Sequence, residues 1–398
     1  MAAVLRIALV PLVFAACGPV ETTEQTEAPP LPNRIANPSV EEGSTAPAGW
    51  TFLADDGVEA TGTWTREAAD GARALQIDLE PGSGAGHARW WFDPVELTGG
   101  RFYEYAALQR SYGRGRLIWS CERGGERSFH SAWQSSSASS WERTAFRFFL
   151  PEDCAVTVMH VLDRPGFLQT DAHELREVAP APLPRPIVSL AFDDGYASVR
   201  TVAAPALEAR GMRGSFYVPS EWLGDENRLD ADDVRALVDA GHEIGSHGAT
   251  HRALPEVAVH ELQDEIEGSL RQLERLGAAG GLAYPFGEFD EVVESFATTR
   301  ARYVRTSLQG LNDATLDPAR IRIHPVTADS TTASLLAAID EARRTSTWLV
   351  LLFHDLGEPT AGAPYTTGTD QFVEVVDYLS IRGIAVLPVI EALAETGR

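Results

Sequence analysis

Two adjacent carboxylates are the first groups in this sequence that could do chemistry. Asp193 and Asp194 follow the apolar run Ile187–Phe192 and precede Gly195. Neighbouring side chains at the end of a strand point in different directions, so one carboxylate can ligate a metal ion while the other acts as a base toward water. The same triplet also occurs as a turn or a helix cap. By itself it leaves both interpretations open.

Two histidines offer the other ligands that such an ion needs. His247 and His251 are four residues apart, and in a helical turn this spacing places both imidazoles on one face. Histidine pairs that lie on a solvated surface and bind no metal can have the same spacing, which is the alternative interpretation. Two imidazoles and one carboxylate would leave one position open for water, as in catalytic zinc sites. Oxygen and imidazole ligands suit a divalent ion, zinc above all, and also cobalt, nickel or iron.

The elements that must position these residues alternate between strands and helices from residue 187 onward. Seven short apolar runs predict buried strands, and helical patterns lie between them, such as 230–240 with Asp230 as N-cap and 256–276. Seven such units predict a parallel sheet covered by helices, closed or nearly closed as a β/α barrel whose active site lies where the strands end. The runs are 187–192, 215–218, 243–246, 281–285, 302–305, 348–353 and 384–387.

Two more motifs follow predicted strands and complete a pattern. Tyr284, Pro285 and Phe286 lie at the end of the fourth run, and His354 comes after the sixth. In order and spacing, the motifs resemble those of the polysaccharide deacetylases of the NodB-homology family, also called carbohydrate esterase family 4, over residues 186–390. The resemblance implies a distorted β/α barrel and a metal-dependent hydrolase that removes acetyl groups from N-acetylated amino-sugar polymers.

The resemblance also implies a role for each polar residue. Asp193 would be the general base and His354 the general acid. The metal ligands would be Asp194, His247 and His251. A water molecule activated in this way would attack the acetyl carbonyl, and acetate and a free amine would result.

The 284–286 motif is implied to hold the substrate. The backbone amide of Phe286 would help to stabilise the oxyanion. Tyr284 and Phe286, on either side of Pro285, would line the sugar pocket.

The sequence departs from the family pattern at three points. Gly248 stands where serine or threonine is usual, which removes a supporting hydrogen bond but no ligand. Ala283 stands where many members have an arginine that holds the base. Arg305, at the end of the fifth run, could replace that arginine. We find no Asp-x-x-Asp-Trp motif that would orient His354.

The first half of the chain has a different character. Residues 35–179 hold seven of the nine tryptophans, and their period-two patterns predict an antiparallel, jelly-roll-like β-sandwich. This segment resembles carbohydrate-binding modules, and exposed rings such as Trp90, Trp91 or Trp133 could stack on sugars, although most tryptophans of a sandwich lie in its core. The predicted divisions are 35–179 for the sandwich, 180–186 for a proline-rich linker and 187–398 for the deacetylase domain.

The N-terminus and the cysteines indicate export. Residues 1–16 predict a secretory signal peptide. Residues 14–17 resemble a bacterial lipobox, which implies a lipoprotein-type signal with Cys17 diacylated after cleavage and 17–34 as a polar, proline-rich tether to a bacterial membrane, on its periplasmic or cell-surface side. An ordinary signal peptide is the alternative. Cys121 and Cys154 form an even pair in an exported chain and are predicted to be bridged, with two free thiols as the alternative.

Charge and chemistry limit the partners. The formal net charge of -24 argues against nucleic acid, since binding phosphates requires Lys and Arg. The expected partners are a polysaccharide and, through the lipid anchor, a membrane. The same attack of water would also serve an O-acetyl esterase acting on acetylated xylan or a similar polysaccharide. A non-catalytic glycan-binding lipoprotein is a third hypothesis. The retention of both Asp193 and His354 argues against it.

Overall fold

The predicted N-terminal processing sites fall outside the part of the chain for which a structure is available. The signal peptide, Cys17 and the tether up to residue 30 lie outside the described residues. None of the described helices is both long and apolar enough to cross a lipid bilayer. The computed structural model describes residues 31–82, 86–113, 115–134, 138–358 and 363–397.

Residues 50–178 fold into two antiparallel sheets that pack face to face, the arrangement of a β-sandwich. One sheet has the strand order β1-β4-β10-β7-β8 with β5 on β10, and the other has the order β2-β3-β11-β6-β9. Both inner faces contribute to one apolar core, which includes Trp50 and Tyr105. The strands are β1 (Trp50–Ala54), β2 (Ala60–Thr65), β3 (Ala74–Leu79), β4 (Ala88–Phe92), β5 (Val95–Leu97), β6 (Arg101–Tyr112), β7 (Gly115–Arg123), β8 (Glu126–Gln134), β9 (Ala138–Leu150), β10 (Cys154–Leu162) and β11 (Gly166–Val178).

One of the tryptophans considered for sugar stacking lies in this core. Trp90 is 5% exposed, and its indole N–H donates to the carbonyl of Gln76 at 3.0 Å, so the expectation of an exposed platform is wrong for this ring. Trp91, on the other face of β4, is partly exposed beside the Arg89 guanidinium. The side chain of Trp133 lies outside the described part.

A disulfide joins two strands of this first half, and the segment that follows the sandwich packs against the barrel. Cys121 and Cys154, on the neighbouring strands β7 and β10, are joined by the predicted disulfide. The segment predicted as a linker is packed against the second half. Leu183 is 4% exposed, and its N–H donates to the carbonyl of Ser346 at 2.7 Å.

The second half is a closed barrel of seven parallel strands, as predicted. The order β13-β14-β15-β16-β17-β18-β12 closes on itself because β12 also pairs with β13. Strand β21 adds to β12 outside the closed ring. The barrel strands are β12 (Ile187–Phe192), β13 (Ser215–Val218), β14 (Glu243–Ser246), β15 (Gly281–Ala283), β16 (Tyr303–Gln309), β17 (Ile321–Pro325) and β18 (Trp348–Phe353), with β19 (Asp355–Leu356), β20 (Thr366–Thr367) and β21 (Ala385–Val386) outside it.

One barrel strand differs from the prediction. The run 384–387 is the outer strand β21, and the seventh strand of the barrel is β17, which the sequence did not predict. Ile321 and Ile323 of β17 point to the apolar core, whereas Arg322 and His324 are only partly buried. A strand of five residues that alternates in this way lacks the continuous apolar run of its neighbours.

The helices follow the predicted pattern in one place and depart from it in another. Asp230 caps the helix after β13 by accepting hydrogen bonds from the N–H groups of Asp232 and Asp233. The predicted helix at 256–276 is broken into a π-helical segment, Gln263–Gly268, followed by a short α-helix. The α-helices are α1 (Ala204–Glu208), α2 (Ala231–Asp239), α3 (Ser269–Glu274), α4 (Glu291–Thr298), α5 (Thr332–Thr345), α6 (Thr369–Arg382) and α7 (Val389–Glu395).

Strands of the first half cover one side of the barrel. Residues 310–320, which connect β16 to β17, contain no helix, and β8 packs against β16 there. His130 of β8 contacts the side chain of Gln309 at 3.2 Å, and Arg322 donates to the carbonyl of Ala132 at 2.9 Å. The strand that carries Arg305 is therefore supported from outside by the first half of the chain.

Candidate metal and catalytic site

The residues singled out from the sequence gather where the barrel strands end. Asp193 and Asp194 directly follow β12, and His247 follows β14. The 284–286 motif follows β15, and His354 follows β18. Parallel strands bring their carboxyl ends to one rim, so groups from distant positions meet there.

Asp194, His247 and His251 form a cluster that could hold a metal ion. Their ligand atoms all lie within 4.8 Å of one another. Oδ1 of Asp194 is 3.2 Å from Nε2 of His251 and 3.6 Å from Nε2 of His247. Nδ1 of His247 is 2.9 Å from the carbonyl of Ala283 and must donate its proton there, which leaves a lone pair on Nε2.

The environment of the cluster fits a cation. Oδ1 of Asp194 is buried and has no hydrogen-bond partner among the described residues, and a buried carboxylate oxygen left in this way is costly unless a cation compensates it. Burial alone would raise the pKa of Asp194, but the close imidazoles of His251 and His247 outweigh it and lower that pKa to about 2. Burial lowers the pKa of His247 to about 4. An ionised carboxylate and a neutral imidazole are the forms that bind metal.

Backbone strain is concentrated at this rim. Asp194 (φ 68°), His251 (φ 59°) and Phe286 (φ 56°) all adopt left-handed conformations, which cost non-glycine residues about 1–2 kcal/mol each. The segment from His247 to His251 is irregular, so the predicted helical turn is wrong. The two rings nevertheless approach to 4.8 Å between centroids, because the loop folds back on itself.

A buried glutamate that sequence reasoning missed holds this loop. Glu265 is 4% exposed. Its carboxylate accepts from the N–H groups of Ala249 and Thr250, both at 3.1 Å, and from the Thr250 hydroxyl. Ser269 adds a hydrogen bond to the carbonyl of Gly248 at 2.7 Å. The available signal was a carboxylate among the apolar positions of the 256–276 pattern.

Asp193 is fixed by an arginine from the opposite side of the barrel. Arg305 is 1% exposed, and its Nη2 donates to both carboxylate oxygens of Asp193, at 2.7 and 2.6 Å. Arg305 pairs in register with Ala283 on the adjacent strand. The guanidinium therefore comes from one strand beyond the position where the family pattern has its arginine.

His354 stands beside an aromatic ring. The pairing of β19 with β20 aligns Asp355 with Thr366, which brings the preceding residues, His354 and Tyr365, together with ring centroids 4.7 Å apart. Nδ1 of His354 is buried and has no hydrogen-bond partner among the described residues. Tyr365, 51% exposed, was not foreseen.

The 284–286 motif divides between core and rim. Tyr284 is fully buried and stacks on Phe289 at 5.0 Å, so the expectation that it lines the sugar pocket is wrong. Burial also raises the pKa of the Tyr284 hydroxyl. Pro285 is buried too, whereas Phe286 is 64% exposed with its ring 4.5 Å from that of His251. Of the three, Phe286 alone presents its side chain at the rim.

Comparison with known proteins assigns this part of the chain. Residues 181–303 match the family described as polysaccharide deacetylase. They form a polysaccharide deacetylase domain. Within the deacetylase domain, the matched residues include the three candidate ligands and Asp193, but the match ends before Arg305 and His354.

Two curated relatives and one solved structure illustrate the likeness. YxkH of Bacillus subtilis strain 168 is 24% identical over 106 residues, which are 26% of this chain and 38% of that protein. The peptidoglycan-N-acetylmuramic acid deacetylase PdaA of the same strain is 26% identical over 110 residues, 27% of this chain and 40% of PdaA. The deacetylase domain thus matches about two fifths of each relative. The Xyl-CE4 domain of a multidomain xylanase from the hindgut metagenome of Trinervitermes trinervoides is 16% identical, with a TM-score of 0.38 over 54% of this chain and 92% of that one.

A further group of side chains at the rim of the deacetylase domain had no sequence signal. The Trp222 ring lies 5.0 Å from that of His251. Arg228 lies between the rings of Trp222 and Tyr196 and donates to the carbonyl of Asp194 at 3.0 Å. Of these residues, Arg228 contacts the strained backbone of Asp194 directly, and the rings of Tyr196 and Trp222 pack against its guanidinium.

Proposed function

We propose that this protein is a metal-dependent hydrolase that removes acetyl groups from N-acetylated amino-sugar polymers of the cell wall or of an extracellular polysaccharide. The observation that carries the proposal is the convergence of Asp194, His247 and His251 within 4.8 Å, next to Asp193. Support also comes from the family match and from a relative whose name specifies peptidoglycan as its substrate.

Asp194, His247 and His251 would hold one divalent ion, for which zinc suits the nitrogen and oxygen donors. When bound, the ion would supply a Lewis acid that polarises an acetyl carbonyl and makes water more acidic. The remaining chemistry belongs to the side chains and backbone around it.

Asp193 acts as the general base in this mechanism. Its carboxylate, held by Arg305, accepts a proton from the water whose oxygen bonds to the acetyl carbon. The oxyanion that develops on the acetyl group accepts a hydrogen bond from the backbone amide of Phe286. The exposed Phe286 ring offers the sugar an apolar face.

His354 acts as the general acid. An amide anion is a poor leaving group, so the nitrogen must gain a proton as the C–N bond breaks. The imidazole of His354, positioned against Tyr365, donates that proton. The products are acetate and a free amino sugar.

We place the reaction outside the cytoplasm. The disulfide between Cys121 and Cys154 suits an oxidising compartment, and peptidoglycan, the substrate named for PdaA, is extracytoplasmic. Lipidation of Cys17 would keep the protein at a membrane surface. A Cys17→Ser variant that still fractionates with membranes would contradict the anchor.

Acetate release tests the activity. Purified protein is incubated with N-acetylated chito-oligomers, peptidoglycan and acetylated xylan, before and after chelation and after addition of zinc or cobalt. We expect release from an amino-sugar substrate that chelation abolishes and metal restores. Release from acetylated xylan alone would instead indicate an O-acetyl esterase.

A matched pair of variants tests the assignment of the base. Asp193→Asn should abolish turnover while zinc still binds, measured by competition with a chromophoric chelator. Asp232→Asn changes a carboxylate that is 91% exposed on α2 and should retain full activity. Full activity of Asp193→Asn would overturn the assignment.

A further inference from the structure

Arg228 is held rigidly beside the candidate metal site. Its guanidinium carbon lies 3.9 Å from the centre of the Tyr196 ring and 4.6 Å from that of Trp222. One Nη donates to the carbonyl of Asp194 at 3.0 Å, and Trp222 in turn contacts His251. The arginine therefore touches one candidate ligand directly and is one side chain away from another.

The described residues around Arg228 do not include a carboxylate partner for it. In the described part of the chain, no aspartate or glutamate oxygen lies within ion-pair distance of Arg228, and the hydrogen bond to Asp194 is the only one that its side chain donates there. Arg305, the other arginine at the site, is neutralised by Asp193.

The packing of Arg228 suits recognition of an anion. Two aromatic faces restrict the planar guanidinium, so little conformational entropy remains to be lost on binding. The edge of the plane still carries N–H donors in the fork that matches a carboxylate. The acetylated amino sugar is itself neutral, so neither its binding nor its hydrolysis requires this positive charge.

We propose that Arg228 binds a carboxylate carried by the polymer next to the acetyl group under attack, and that the enzyme prefers acidic amino-sugar polymers over neutral ones. This inference rests on the proposed function and narrows its substrate class. The carboxylate could belong to an ether substituent on the acetylated sugar, as in muramic acid, or to a neighbouring uronic acid.

Three substrates of equal length test the preference. They are a neutral N-acetylated chito-oligomer, a peptidoglycan glycan strand with muramic acid, and an oligomer that alternates N-acetylglucosamine with glucuronic acid. We measure kcat/KM for each with wild-type protein, Arg228→Gln, Arg228→Lys and the control Arg275→Gln. Arg275 is exposed at the end of α3. Its substitution by glutamine therefore removes the same charge outside the candidate site.

We expect the wild-type protein to prefer at least one acidic oligomer, and the preferred one identifies the source of the carboxylate. In Arg228→Gln the ratio of acidic to neutral kcat/KM should fall by about tenfold to a hundredfold, the range for a hydrogen bond to a charged group. Arg228→Lys should lose less, and Arg275→Gln should keep the wild-type ratio. High salt should reduce the preference.

Two results would contradict the proposed role of Arg228. If Arg228→Gln lowers kcat/KM for all three substrates by the same factor and weakens zinc binding, Arg228 only supports the backbone of Asp194 and the proposal is wrong. A wild-type preference for the neutral oligomer would overturn it as well. Equilibrium binding of the same oligomers to Asp193→Asn protein needs no turnover, so it tests Arg228 even if the proposed hydrolysis fails.

Discussion

Replacing Arg305 by alanine should leave the buried carboxylate of Asp193 without the guanidinium that is its nearest charged partner among the described residues. Asp193 is 3% exposed and Arg305 is 1% exposed, and one guanidinium nitrogen reaches both carboxylate oxygens at 2.7 and 2.6 Å. Removal of one partner of a buried pair costs about 3–5 kcal/mol, because the remaining charge is neither solvated nor paired. We expect the free energy of unfolding to fall by that amount.

Catalysis should suffer at the same time. In the proposed mechanism the carboxylate must be aimed at the water that it deprotonates, and the hydrogen bonds from Arg305 hold it in place. Loss of hydrogen bonds to a charged group worth about 1.5–3 kcal/mol each corresponds to a decrease in kcat/KM of about a hundredfold or more. Urea unfolding followed by tryptophan fluorescence and acetate release give the two quantities.

The double variant Asp193→Asn/Arg305→Ala isolates the interaction. If the two groups act as a pair, the second substitution should destabilise the protein far less in the presence of the first than alone. Additive losses of stability, or an Arg305→Ala enzyme with kcat/KM within twofold of wild type, would refute the reasoning.

Relocation of the guanidinium offers a second check. Ala283 and Arg305 are register partners on β15 and β16, and adjacent strands are about 4.8 Å apart. Both β15 and β16 are three strands from β12 around the closed ring, so we expect an arginine at position 283 to reach Asp193 as well. Ala283→Arg/Arg305→Ala should recover at least part of the activity that Arg305→Ala loses.

Three other predictions concern the supports of the fold and of the site. Glu265→Gln should weaken zinc binding by about tenfold to a hundredfold in the chelator competition, because the loop that carries both histidines loses a charged anchor; unchanged affinity would mean that the loop holds itself. Burial lowers the pKa of His173 to about 4 from an ordinary 6.5, so protons bind the unfolded chain first as the pH falls. Stability should then decrease between pH 6.5 and pH 4 by up to about 3 kcal/mol, read from urea midpoints, and His173→Gln should flatten that dependence. Reduction of Cys121–Cys154, which closes a loop of 33 residues, should cost about 2–5 kcal/mol of stability, and an identical urea midpoint with and without reductant would contradict this.

Strands buried on both faces were predictable because they read as continuous apolar runs. Ile187–Phe192 and Trp348–Phe353 have the predicted bounds. Strand β17 was not predicted because its Arg322 and His324 face the first half of the chain rather than an apolar helix. The residue pattern of a strand depends on what covers each of its two faces, and the segment that covers one face of β17 lies almost 200 residues away in the sequence.

The site was predictable in composition and less so in geometry. Residue types and spacing singled out His247 and His251, but not the irregular loop that joins them or the Glu265 that holds it. The resemblance led us to expect Tyr284 at the rim. In the structure Tyr284 is buried, and the tight turn at Phe286 directs only the Phe286 ring outward. Such left-handed conformations depend on contacts between distant segments, which local propensity does not encode.

The location of Arg305 shows how the first half of the chain bears on the chemistry. Arg305 lies on β16, and β16 has β8 against its outer side where a β/α barrel would ordinarily have a helix. Arg322 of the next strand is desolvated enough that its pKa falls to about 10, and it donates to the carbonyl of Ala132. Removal of the first half would strip these partners from two barrel strands at once. The strand whose Arg305 holds Asp193 in place would then lose its outer support, so the sandwich is part of the scaffold of the candidate site, whether or not it also binds glycan.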